Sequence, residues 1–220
     1  MSLASLEREI VSCRACPRLV EWRERVAQEK RAAYEGEEYW GLPIPGFGDP
    51  EAKVVVLGLA PAAHGANRTG RVFTGDRSGE FLFAGLYRAG LASSPVSHER
   101  NDGLELYGAW ISAAVHCAPP QNTPAPAERD TCLPYLSREL ELIPSARVVL
   151  CLGSFAWDAA LRLYGVRPKP GFGHGAEYIP EAGPALLGCY HVSRQNTFTG
   201  RLTPSMLDTA LARARDLCGC

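Results

Sequence analysis

The sequence predicts an α/β fold: a central parallel sheet of four strands with helices on both of its faces. Two observations carry that prediction. Four short apolar runs rich in branched residues recur along the chain, as strands buried on both faces require. Amphipathic segments of helical period separate them, and strands that alternate with helices form parallel sheets.

The elements follow in order. Residues 5–30 read as helix, re-aimed around Cys13–Pro17. WGLPIPGFGDP (40–50) is a loop, and KVVVLGL (53–59) is the first strand. A long Gly-rich loop follows. SGEFLFAGLYRAGL (78–91) sets apolar residues at helical spacing behind a Ser78 N-cap, with Gly90 near its end. YGAWISAAVHC (107–117) is the second strand. PAERDTCLPYLSRELELI (126–143) opens a helix with proline and acids in its first turn, and Pro134 interrupts it. RVVLCLG (147–153) is the third strand, and SFAWDAALRLYG (154–165) is a helix capped by Ser154 and Gly165. PALLGCYHV (184–192) is the fourth strand, and TPSMLDTALARARDLC (203–218) the last helix. GFGHG (171–175) has no strand before it and is a loop, not a dinucleotide fingerprint. Ligands of such a sheet bind outside the carboxyl ends of its strands. Those ends are Gly58–Ala63, His116–Asn122, Gly153–Ser154 and His191–Thr197.

At 220 residues the chain is read as one domain, 1–220. A net charge of −1 gives no global basic footprint, so any nucleic-acid contact rests on local clusters. No apolar run reaches the roughly 18–20 residues that span a bilayer. The start, MSLASLEREIVSC, lacks the apolar stretch of a secretory signal. Both features point to the cytoplasm, where paired cysteines more often bind metal than form structural disulfides.

Cys13 and Cys16 make a C-x2-C step, while Cys117 and Cys132 flank APPQNTPAPAERDT. Four thiolates suit a soft metal or an iron–sulfur cluster. The spacing matches neither a zinc ribbon nor a ferredoxin run, so a zinc site and four unrelated cysteines stay open on these residues alone. Cys151 and Cys189 lie inside apolar strands as small core residues. Cys218 and Cys220 form a C-x-C tail.

The first loop, LGLAPAAHGANRTGRVFTGD, places Ala60, Pro61, Ala62 and Ala63 where a ligand approaches backbone N–H groups closely. Phe73 stands among polar and Gly residues, either exposed to stack a base or folded back onto the sheet. Asp76 precedes a helix, so capping is as good an account of it as catalysis. The last loop, YHVSRQNTFTGR, carries His191, Arg194, Gln195, Asn196 and Arg201; its polar run suits a DNA groove or a solvated turn.

These blocks together resemble the iron–sulfur uracil-DNA glycosylases, most closely their family 5 branch. The carriers are CRACPRL, residues 46–79, AVHCAPPQNTP with Cys132 downstream, and YHVSRQNTFTGRLT. The resemblance covers nearly the whole chain. It implies a three-layer α/β/α sandwich, a 4Fe-4S cluster on Cys13, Cys16, Cys117 and Cys132, and excision of uracil and other deaminated bases from DNA. It also implies roles: Phe73 stacks on the base, Asn122 reads its edge, His191 donates to its O2, and Asp76 orients water or steadies the sugar cation. Arg194, Gln195 and Asn196 fill the gap left by the flipped base; Arg68, Arg71 and Arg201 meet phosphates. Where family 4 relatives carry an acid in GEAPG, this chain has GLAPA, so Leu59 and Ala60 offer none. The implied partner is damaged DNA, double- or single-stranded, met by a monomer without a membrane. The alternatives are a metal-stapled nucleic-acid-binding domain and a nucleotide-handling enzyme that uses the first loop for phosphate.

Overall fold

The computed structural model describes residues 2–219. The chain begins with α1 (Leu3–Val11) and α2 (Pro17–Glu29). Cys13 and Cys16 occupy the break between them, and Pro17 opens α2 at a position whose N–H would have no partner anyway. Next come β1 (Phe47–Gly48), β2 (Val54–Gly58), α3 (Ala66–Thr69), α4 (Arg77–Arg88) and β3 (Ala109–Ala113). Then follow α5 (Pro126–Glu141), β4 (Val148–Leu152), α6 (Ser154–Leu163) and β5 (Glu177–Tyr178). The chain closes with β6 (Ala185–Cys189), α7 (Arg194–Phe198) and α8 (Pro204–Cys218).

The sheet order is β1-β3-β2-β4-β6-β5. Its four inner strands are parallel, as expected, with Val56 of β2 opposite both Ile111 and Leu150. Six strands are present, not four, because β1 and β5 add antiparallel edges to β3 and β6. Each edge strand is two residues long. Such strands come from pairing with a neighbour, and no periodicity announces them.

Residues of β2 alternate between two cores, as the two-residue period of a strand demands. Val54 and Val56 face α4 and α8, meeting Leu82, Phe83, Leu207 and Leu211. Val55 and Leu57 face α5 and α6, meeting Leu136, Trp157 and Leu161. Cys151 and Cys189 are buried in these cores. No helix among the described residues is long and apolar enough to cross a membrane.

Three local expectations change. The N-cap of α4 is Asp76, not Ser78: the Asp76 carboxylate accepts the Gly79 N–H at 3.0 Å. Pro134 does not interrupt α5, which runs through it. There the tertiary packing of Leu133, Leu136 and Leu140 outweighs the hydrogen bond that proline removes. The N-cap of α6 is Gly153, so Ser154 is already helical. In the C-x-C tail, Cys218 is the last residue of α8, and Cys220 lies outside the described residues.

Candidate active site and cysteine cluster

A cavity of about 930 Å³ opens beyond the carboxyl ends of β2, β3 and β6. It gathers residues from three separate loops. The loop after β2 supplies Ala60, Pro61, Ala62, Ala63, Phe73 and Asp76; the loop after β3 supplies Asn122; the segment after β6 supplies His191, Arg194, Gln195 and Asn196. The predicted base site is thus assembled in one place, where parallel sheets bind ligands.

Local sequence explains each position. A Cβ on Gly58, the last residue of β2, would lie 2.7 Å from the Phe73 ring, so only glycine lets that ring cover the strand end. Phe73 is half-buried: it packs on the core and also lines the cavity. Asp76 is held between two glycines. Gly79 donates to it, and a Cβ on Gly65 would come within 2.3 Å of its other oxygen. Burial pushes its carboxyl above the usual range, against the N–H groups of Gly79 and Ser78 that favour the ionised form. Asn122 is exposed, and both it and Gln121 adopt positive φ, near +53° and +54°. Asparagine tolerates that region better than most residues.

His191 follows β6, two strands along the sheet from β2, and its ring centroid is 6.3 Å from that of Phe73. Burial pulls its imidazole down to about 4. The ring is therefore neutral at physiological pH and keeps one N–H to donate. The Asn196 amide donates to the His191 carbonyl at 2.8 Å and fixes the segment. The polar run expected as a loop contains a short helix, α7, started by the Ser193 hydroxyl accepting from the Asn196 N–H. Five residues are too few to show a helical period.

The arginines divide. Arg194 is exposed at the cavity rim. Arg201 stacks its guanidinium over Tyr190, 4.8 Å from the ring centroid. Arg68 is committed inside the first loop: it pairs with Glu37, donates to the His64 and Gly75 carbonyls, and lies over Tyr34. Arg71 does not face solvent at all. It is 5% exposed and donates to Asp102 at 2.6 Å and to Ser97 at 2.5 Å. Against the upward push of burial, Arg71 and neighbouring N–H groups hold Asp102 at about 2. A guanidinium consumed in this way is a structural brace, not a phosphate contact. The reading missed Arg31, Tyr34, His64 and Arg77, which also line the cavity. Only His64 carried a signal, inside the first-loop motif.

The four cysteines also come together. Cys13, Cys16, Cys117 and Cys132 line one small cavity walled by Ile10, Leu19, Val20 and Val115. Two N–H donors reach sulfur: Arg23 Nη1 to Cys117 at 2.9 Å and the His116 amide to Cys132 at 3.4 Å. Arg23 is 1% exposed and also holds the Cys13 carbonyl. Burial pushes the Cys117 thiol up to about 11 and raises Cys132 and Cys16 as well, so these sulfurs ionise when a cation claims them. Among the described residues, no group of three or more His, Cys, Asp or Glu side chains is placed to hold a metal ion. A lone zinc ion needs all four sulfurs about 2.3 Å from one point, whereas an iron–sulfur cluster is met by cysteines arranged around it. Four thiols in an apolar pocket, with N–H groups donating to sulfur, suit that donor chemistry.

The profile of the uracil DNA glycosylase superfamily matches residues 45–215. A type-5 uracil-DNA glycosylase of Mycobacterium tuberculosis is 56% identical over 99% of this chain and 82% of its own length. One of Thermus thermophilus is 52% identical over 96% of this chain and 95% of its own. A type-4 enzyme of Archaeoglobus fulgidus is 30% identical over 74% of this chain and 65% of its own.

Proposed function

The chain belongs to the uracil DNA glycosylase superfamily, and from that premise we propose that it excises uracil from DNA by hydrolysing the N-glycosidic bond, leaving an abasic site for repair. The observation that carries this reading is the convergence of Phe73, Asp76, Asn122 and His191 on one cavity.

The reaction needs little covalent machinery. Breaking the bond between C1′ and the base develops positive charge on the sugar and negative charge on the departing base. DNA phosphates stabilise the first, and hydrogen-bond donors the second. Phe73 stacks on the extruded ring. Asn122 pairs its amide with the base edge. His191, half-buried and kept neutral by desolvation, donates its N–H to the O2 where charge collects. The backbone of Ala60–Ala63 closes the remaining wall. Asp76 orients the water or steadies the sugar cation. With Leu59 in place of the acid, the pocket is less selective, and we extend its range to hypoxanthine and related deaminated bases. Extruding the base costs a few kcal/mol, least at a mispair.

Cys13, Cys16, Cys117 and Cys132 would hold a 4Fe-4S cluster, whose contribution is a cross-link between the N-terminal helices and the loop that carries Asn122. Arg194 and Arg201 meet phosphates. We take residues 1–220 as one glycosylase domain, a cytoplasmic monomer that acts on double-stranded and single-stranded DNA.

Incubation with uracil-containing duplex, followed by alkali and a denaturing gel, tests the reading. Strand scission at the uracil is the expected result. A protein that bound the duplex yet released no base from G·U, A·U or single-stranded substrate would instead be a metal-stapled binding domain.

A further inference from the structure

The GFGHG loop (171–175) lies against the end of β6, the strand that delivers His191. Gly175 donates its N–H to the Gly188 carbonyl at 2.7 Å, and Gly188 donates its own to Ala176 at 2.8 Å. A Cβ on Gly188 would come within 2.4 Å of the Gly173 carbonyl oxygen, so only glycine lets the loop lie this close. Past Cys189 the ladder between β5 and β6 has run out. There an imidazole nitrogen stands in for a carbonyl: His174 Nδ1 accepts the Tyr190 N–H at 3.3 Å.

The rest of His174 is committed as well. Its ring lies against Tyr190, with centroids 5.2 Å apart. Phe172 packs on the same tyrosine at 6.2 Å, and the Arg201 guanidinium covers it at 4.8 Å. A ring N–H of His174 donates to the carbonyl of Met206, in the first turn of α8. Accepting at Nδ1 while donating elsewhere requires the neutral ring with its proton on Nε2. His191 is therefore held from both sides. Its carbonyl takes the Asn196 amide at 2.8 Å, and the N–H one residue earlier is tied to His174. His174 is not one of the cavity-lining residues, so its route to the reaction runs through the backbone at Tyr190.

We propose that His174 is a positioning residue for base release: it fixes the main chain at Tyr190 and so aims the His191 imidazole at the departing base. The role rests on the uracil-excision reading above. Orientation is a strong lever, since a misplacement of about 1 Å can cost on the order of a hundredfold in rate.

The test is a double-mutant cycle on single-turnover uracil release from a saturating G·U duplex. His174→Phe keeps a ring against Tyr190 but removes the acceptor. The expected result is a fall on the order of tenfold in the release rate, short of the loss for a full ångström, with duplex affinity unchanged. His174→Asn, whose amide oxygen can take the place of Nδ1, recovers most of that rate. In a His191→Ala background, His174→Phe costs nothing further, because the group it aims is gone. A wild-type rate in His174→Phe overturns the proposal. So does an equal loss with and without His191, which is what general loosening of the fold would give, and so does a His174→Asn rate as low as that of His174→Phe. Wild-type protein that releases no uracil overturns the function itself, a different outcome.

Discussion

The cysteine cavity and the base cavity lie at opposite ends of one short segment, from Cys117 to Asn122, and they follow opposite plans. Around the cysteines the walls are branched aliphatic side chains, the space is small, and a buried arginine donates directly to sulfur. Around the base site small residues share the walls with the rings of Tyr34, His64, Phe73 and His191, the space is wide, and exposed cations stand at the rim. The first plan suits a group that stays; the second suits one that enters and leaves. The contrast teaches that burial serves two purposes in this molecule. At Cys117 it keeps the thiol protonated until a cation claims the sulfur. At His191 it keeps an imidazole neutral at the wall of an open cavity.

Separating the two cavities by substitution breaks or sharpens that contrast. The largest effect is expected at the base site. His191→Ala removes the donor to the departing base, and single-turnover release falls roughly 10²–10³-fold, as for other oxyanion donors. The absorbance near 400 nm (approximately where sulfur-to-iron charge transfer in such clusters lies) stays as in wild type. If that absorbance vanished too, the two cavities would be one unit and the contrast would fail.

A smaller effect is expected at the other end. Arg23→Met keeps the bulk of the buried stem but removes the N–H that reaches Cys117. Ligand-supporting residues of this kind are worth about 10–100-fold in metal affinity. Iron should be lost faster to a chelator, read by absorbance and iron content, while release per cluster-bearing molecule keeps its wild-type rate. Equal retention in variant and wild type would show that the contact is incidental.

The subtlest expectation concerns pH. An ordinary histidine charges as pH falls through about 6.5. Burial lowers the folded-state value of His191 to about 4, so the ring stays neutral across that range. The rate of release should therefore show no inflection near 6.5. Folding is affected in the same sense: between about 6.5 and 4 the unfolded chain binds the proton that the folded one refuses, so this group's contribution to stability is full above 6.5 and declines as pH falls toward 4. A rate profile that turned over at 6.5 would place His191 in water rather than in the cavity wall.

Much of this was legible beforehand, for physical reasons. The inner strands showed themselves because burial on both faces demands continuous branched apolar runs. The cavity residues showed themselves because they follow those strands directly. The edge strands did not, since two residues carry no period. Nor did α7, started by one serine and five residues long. Arg71 read as a surface cation because its partner, Asp102, lies 31 residues away in another loop, and only tertiary structure brings them together. Pro134 read as a break because local rules cannot weigh the packing around it.

Asp76 holds the first turn of α4 and faces the base cavity at once. The carbonyl of Phe73 lies so near Gly79 that a Cβ there would sit 1.7 Å from it. The Phe73 ring, the Asp76 carboxylate and the first turn of α4 are therefore one packed unit, and a substitution that loosens that turn reaches both cavity side chains at once.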